Sequence, residues 1–250
     1  MTIKGIFFDF GFVIGFPRSG LDRRYFYLDW TGIDAVLNDQ TLIPKIRTGI
    51  GKPELEAFFQ QEIYAPFVQH EQSDSIDPQS NQLLLDKLHL VFACPIQQAL
   101  VDQVLAHLDT MKYFTMDVTA VNVLAALKQK GFRLALVSNM LLPGKLLRTK
   151  LQAANLFTYF DQIVVSSDVG FIKPHPEIFR RALTQCQLHA AEVLFVGDTY
   201  QQDIVGAKRV QLKTAWLNHR HEPRVLAAAN PPDYEIASLA ELTNLPIFAS

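Results

Sequence analysis

Four apolar runs, each short enough for one strand and each leading to a side chain that can react, constrain this chain more than any other feature. Ile6-Phe7-Phe8 runs into Asp9, and Leu134-Ala135-Leu136-Val137 runs into Ser138. Ile163-Val164-Val165 leads toward Lys173, and Val193-Leu194-Phe195-Val196-Gly197 ends at Asp198, with Asp203 close behind. Continuous apolar runs of this length mark strands buried on both faces, the condition of a parallel sheet. From about residue 117 the pattern alternates between strands and helices. Asp117 is placed to N-cap a helix whose apolar face carries Val118, Val121, Leu124 and Leu127, with Gly131 as its stop. Strands are expected at 133–138, 162–166, 193–197 and 213–217, and helices around 144–154, from Pro176 and from about 201. Such alternation predicts an α/β fold, a parallel sheet with helices on both faces. Ligands bind beyond the carboxyl ends of the strands in these sheets. Asp9, Ser138 and Asp198 are expected there, with Lys173 in a loop that follows one strand.

Residues 17 to about 112 read as almost wholly helical. Pro53-Glu54-Leu55-Glu56-Ala57-Phe58-Phe59 opens with a proline suited to a first helical turn, and Leu83-Leu84-Leu85 and Leu100-Val101-Val104-Leu105-Leu108 continue at helical spacing. The polar stretch His70–Pro78 reads as a loop between helices. The expected organisation is therefore a core of residues 1–16 and 113–250, interrupted by an all-helical insert of residues 17–112.

Composition narrows the function classes. With 250 residues, a hydrophobic fraction of 49% and a net charge of -2, the chain suits an ordinary globular protein with a substantial core. That charge gives no electrostatic case for nucleic acid or an anionic membrane as main partner. Cys94 and Cys186 stand far apart and form no metal-ligand or redox pair, which points to a reducing, cytoplasmic setting. No run approaches the ~20 apolar residues of a membrane span. Asp9 interrupts the apolar N-terminal stretch, so that stretch reads as a first strand rather than a signal peptide.

Each candidate residue has an ordinary alternative when taken alone. Ser138 suits a cap, Lys173 a surface, and Asp198 and Asp203 the start of a helix. Their order along the chain favours a site. Phe8-Asp9-Phe10-Gly11-Phe12-Val13, Val137-Ser138-Asn139, Lys173-Pro174-His175-Pro176 and Val196-Gly197-Asp198-Thr199-Tyr200-Gln201-Gln202-Asp203-Ile204-Val205-Gly206-Ala207 follow one another. In this order they resemble the haloacid dehalogenase-like hydrolase superfamily, over the whole chain.

The resemblance implies a Rossmann-like core with an inserted helical cap that closes over the site and selects the substrate. It implies a Mg²⁺-dependent phosphatase acting on a small phosphorylated metabolite. Asp9 would be the nucleophile, and Ser138, the backbone at Asn139 and Lys173 would bind phosphate. Asp9, the Gly11 carbonyl, Asp198 and Asp203 would hold the metal, Asp198 directly or through a water. Phosphatases of the superfamily mostly carry a second aspartate, the general acid, where Gly11 stands; glycine cannot move a proton. A phosphate-binding protein without turnover is one alternative. A dehalogenase would not need the Asp198–Asp203 segment, and a phosphonate hydrolase would need a cap lysine, for which Lys45 is the candidate. A receiver domain shares the Asp, Ser/Thr and Lys chemistry but is about half this length and has no insert. Arg18, Lys45 and Arg47 are candidates for substrate selection. His219 and His221 around Arg220 read as a solvated loop, His175 as loop packing, and Phe12 as a residue that narrows the mouth or meets the cap. A monomer or a homodimer is compatible with the sequence.

Overall fold

The structure, a computed structural model, describes residues 2–19, 28–72, 86–221 and 230–248. Its centre is β1 (Gly5–Phe8), whose four residues are all buried because a parallel neighbour pairs on each side. The sheet has six parallel strands in the order β5-β4-β1-β6-β7-β8. Here β4 is Arg133–Ser138, β5 Gln162–Val165, β6 Val193–Gly197, β7 Lys213–Leu217 and β8 Tyr234–Ile236. β8 extends the sheet one strand beyond the sequence expectation. Side chains alternate across the sheet, so successive residues of β1 serve different cores. Phe8 packs with Leu136 and Val196 on one face, whereas Phe7 packs with Ala135, Val137, Phe179 and Phe195 on the other. The second face is covered by the helix Pro176–Cys186, which buries Ile178, Phe179, Ala182 and Cys186.

Register decides where the site lies. Phe8 stands opposite Leu136 of β4 and Val196 of β6, so the chain leaves all three strands at one edge. Asp9 follows directly, its amide donating to the Val196 carbonyl at 2.9 Å. Asp117 caps the helix Val118–Gln129 as expected, accepting from the Thr119 amide, and Gly131 takes a left-handed φ of +84° just beyond its end. One detail of that helix differs. Val118 is 76% exposed, and the buried face runs through Ala120, Val123, Leu124 and Leu127. Val118 is the first helical residue, with no preceding turn to cover it.

The insert leaves through β2 (Gly15–Pro17) and returns through β3 (Phe114–Met116), which pair antiparallel. Between them lie α1 (Gly32–Asn38), α2 (Lys52–Phe58), α3 (Ala65–Gln72) and α4 (Gln98–His107). α2 and α3 are joined by a π-helical turn, Phe59–Tyr64. His70–Gln72 therefore closes a helix rather than opening a loop. The expected Leu83-Leu84-Leu85 helix and the rest of the polar stretch, 73–78, fall outside the described residues. Asp29 ties the entry of the insert to its exit. Fully buried, its carboxylate accepts from the Thr31 amide at 3.1 Å, the Thr31 hydroxyl at 2.7 Å and the Tyr113 hydroxyl at 2.9 Å, and it pairs with Lys112. Among the described residues, no helix is long and apolar enough to cross a membrane.

Candidate active site

The carboxyl edge of the sheet brings Asp9, Ser138, Lys173 and Asp198 onto one cavity floor, with Asp203 fully buried behind it and bonded to Lys173. The Lys173 ammonium is the keystone. It donates to Asp9 Oδ1 at 2.8 Å and to Asp203 Oδ1 at 2.6 Å, with its side chain only 1% exposed. Asp203 is reached by a π-helical turn, Tyr200–Val205, that starts just after β6. The Asp203 amide donates to the Thr199 carbonyl at 2.8 Å, and the Thr199 amide returns a bond to Asp203 Oδ2 at 2.9 Å. Gly197 is required by this approach, because a Cβ there would lie 2.4 Å from the Asp203 side chain.

Burial alone would lower the Lys173 ammonium, but the Asp203 and Asp9 carboxylates more than offset it and hold the amine charged. Asp198 is pushed well above the usual carboxylate range, first by burial and then by the nearby charges of Asp203 and Asp9. Asp203 is also raised, chiefly by burial and by Asp9, against the pull of Lys173 and the Thr199 amide. Ligand oxygens of Asp9, Asp198 and Asp203 lie within 4.8 Å of one another. Among the described residues these three carboxylates have two cationic partners, Lys173 and Arg220, a deficit of one cation that goes with the raised Asp198 and Asp203. The deficit and the all-oxygen donors suit a hard divalent cation such as Mg²⁺.

Asn139 does more than the sequence suggested. Its amide nitrogen donates to the Lys173 carbonyl at 3.0 Å, and its Oδ1 accepts from the Lys173 amide at 2.7 Å. This two-way clamp pins the Lys173 loop to the end of β4 and aims the amine at Asp9. Ser138, the last residue of β4, is buried and lines the cavity.

Gly11 sits in open space. A Cβ built there meets only Asp9 Oδ2, at 4.0 Å, so a larger side chain would fit beside that carboxylate. Phe12 follows with a left-handed φ of +56° and lines the cavity, where its ring meets the loop after β7. The Arg220 guanidinium lies 4.8 Å from the centre of that ring, and the His219 ring stacks on it at 6.0 Å. Arg220 also donates to Asp198 Oδ2 at 3.0 Å. Arg220 is therefore part of the site wall, His219 packs behind it on Phe12, and His221 is exposed as a solvated loop residue is expected to be. Arg220 is the functional candidate that sequence reasoning missed. Its one available signal is that it follows β7 at the same sheet edge as the other site residues. His175 packs as expected, its ring tilted against Phe171 with centroids 4.6 Å apart and accepting from the Glu177 amide.

The cavity above this floor has a volume of about 370 Å³. Its far side carries Tyr64, Val68, Met111 and Phe114. Arg18, Lys45 and Arg47 do not line it; Arg47 instead donates to the His89 carbonyl at 2.9 Å. Cys94 and Cys186 are both free thiols, and burial pushes the Cys186 thiol up to about 11.

Among curated proteins, the chain is similar to the pyrimidine 5'-nucleotidase YjjG of Escherichia coli, 36% identical over 129 residues. That alignment covers 50% of this chain and 54% of the relative. The phosphoserine phosphatase of Thermus thermophilus is 33% identical over 48% of this chain and 46% of its own length. The pyrophosphatase PpaX of Bacillus cereus is 30% identical over 53% and 59%. The chain thus spans about half the length of the curated relatives it matches. Two solved structures share its fold from end to end. A HAD phosphatase from Thermococcus onnurineus has a TM-score of 0.61 at 24% identity, with 97% of each chain covered. A 2-haloacid dehalogenase from Pseudomonas syringae pv. Tomato has a TM-score of 0.66 at 20% identity, with 99% of each covered. The family model described as haloacid dehalogenase-like hydrolase matches residues 52–217, which is 166 of 250 residues. The chain belongs to the haloacid dehalogenase-like hydrolase family.

Proposed function

We propose that the chain is a Mg²⁺-dependent phosphatase that hydrolyses a small phosphomonoester or acyl phosphate, with residues 1–16 and 113–250 as catalytic core and 17–112 as cap. The observation that carries this reading is the Lys173 bridge between Asp9 and Asp203 within a three-carboxylate cluster. It gathers a nucleophile, a cation for phosphate oxygens and metal ligands on one floor. The names of the relatives support phosphate chemistry, since a nucleotidase, a phosphoserine phosphatase and a pyrophosphatase share about half of this chain.

Asp9 attacks phosphorus, the bond from phosphorus to the leaving oxygen breaks, and that oxygen departs with the electron pair. With glycine at position 11 the leaving oxygen takes its proton from water. Water then attacks phosphorus of the aspartyl phosphate, inorganic phosphate leaves, and the Asp9 carboxylate is regenerated. Ser138 and the Asn139 backbone donate to phosphoryl oxygens, and Lys173 balances their charge. Asp9, Asp203, Asp198 and the Gly11 carbonyl would hold Mg²⁺, which when bound neutralises the phosphate oxygens. The expected result is phosphate release from acetyl phosphate or p-nitrophenyl phosphate that requires Mg²⁺. Asp9→Asn should lower it by about 10⁴-fold or more while the unfolding midpoint stays close to that of the parent protein.

Gly11 favours a second reading, a phosphate-binding protein without turnover. Binding of a phosphate mimic with Mg²⁺, combined with no release from a broad phosphate panel, would select it. The dehalogenase reading is weakened by the buried Asp198 and Asp203, and the phosphonate reading by the absence of Lys45 from the cavity wall. Fluoride release from fluoroacetate without metal would restore the former.

A further inference from the structure

The cavity has two unlike ends. Its floor is charged, whereas the wall facing that floor is mainly apolar among the described residues, where Tyr64, Val68, Met111, Phe114, Met140 and Leu141 outnumber the one polar neighbour, Thr110. These six come from three separate places. Tyr64 and Val68 lie at the junction of the π turn with α3, Met111 and Phe114 on the return from the insert, and Met140 and Leu141 just after β4. Backbone bonds fix the last group, since the Met140 amide and carbonyl both bond the Ser166 hydroxyl, at 2.8 and 3.0 Å. Phe114 is held by Phe10, with ring centroids 5.5 Å apart, and Tyr64 by Trp30 at 5.8 Å. The wall is thus prepared rather than assembled by a ligand. A molecule whose phosphate meets Lys173 and Ser138 must place its organic part against this surface, and burying apolar area there is favourable only if that part is itself apolar.

Resting on the phosphatase reading of the floor, we infer that the substrate class is a phosphate whose organic group is aromatic or aliphatic rather than polyhydroxylated or carboxylated. Among the described residues, the selecting ones are the six apolar residues of the wall, and none of these six is a cation.

Phosphonates separate this inference from turnover, because they bind without being hydrolysed. Titration of benzylphosphonate, methylphosphonate and 2-hydroxyethylphosphonate into the Mg²⁺-supplemented protein is the test. Benzylphosphonate should bind about ten-fold or more tightly than either of the others, as burial of a ring predicts. Val68→Asn, a half-buried position on α3, should cut that preference at least about three-fold. Equal affinities, or tighter binding of the hydroxyethyl compound, overturn the inference even if phosphate esters are turned over. Selective binding of the benzyl compound with no turnover of any ester leaves the inference standing and overturns the phosphatase reading instead.

Discussion

At the carboxyl edge of the sheet, Asp9, Ser138 and Asp198 take their positions from strand register. The facing wall, by contrast, draws Tyr64, Val68, Met111 and Phe114 from segments nearly fifty residues apart. The edge is charged, buried and tightly bonded, with Lys173 holding two carboxylates and Asn139 holding Lys173. The wall is apolar and half-buried in places, and its shape follows from packing. Backbone pairing thus positions the edge, whereas the shape of the wall depends on individual side chains that can be altered one at a time.

The largest expected effect lies at the edge. Lys173→Met should cost about 3–5 kcal/mol of stability, because it leaves Asp9 and Asp203 as buried carboxylates without their common cation. Urea unfolding of metal-free protein measures it. A loss no greater than that of Val68→Asn on the wall would erase the contrast between the two regions, and would mean that water or Arg220 already screens the carboxylates.

Gly11→Asp sharpens the same contrast from within the edge. The open space 4.0 Å from Asp9 Oδ2 receives the new side chain, and the backbone there needs no left-handed φ. A carboxyl group in that place should raise turnover of an alkyl phosphate by about 10²-fold, the lower range for positioned acid–base groups. Turnover of p-nitrophenyl phosphate, whose leaving group needs no proton, should change little. An equal gain for both substrates would assign the effect to phosphate or metal binding rather than to proton transfer.

What is legible in the sequence divides along the same line. The strands of the parallel sheet are covered on both faces, so they leave uninterrupted apolar runs, and the residues at their ends can be named from the order of amino acids alone. Asp9, Ser138, Lys173, Asp198 and Asp203 are all readable in this way. Arg220 is not, because its meaning depends on Asp198 and Phe12, which are remote in sequence and unrelated to it by any period. The wall is equally hidden. Cationic Arg18, Lys45 and Arg47 look like selectors by charge alone, but which face of an inserted helix looks into a cavity is a tertiary outcome. The π-helical turn at Tyr200–Val205 is a further case, since it carries Asp203 back against Gly197, a contact that no local pattern announces.

The smallest expected effect concerns the hinge between the two regions. Asp29→Asn should cost about 1–3 kcal/mol at neutral pH, as the loss of a charge-assisted buried acceptor does. Burial works to raise this carboxyl, but Lys112, Thr31 and Tyr113 together hold it below its ordinary value of 3.8. A carboxyl lowered in the folded state contributes stability that is fully present above its unfolded value and is lost as pH falls through the folded one. The gap between parent and variant should therefore be widest above about pH 5 and close under more acidic conditions. Because Asp29 touches the insert and not the strand ends, the stabilisation of the protein by added Mg²⁺ should be the same in both. A variant that also loses the Mg²⁺ response would show that the insert reaches into the metal-binding edge, and that the two regions are one energetic unit.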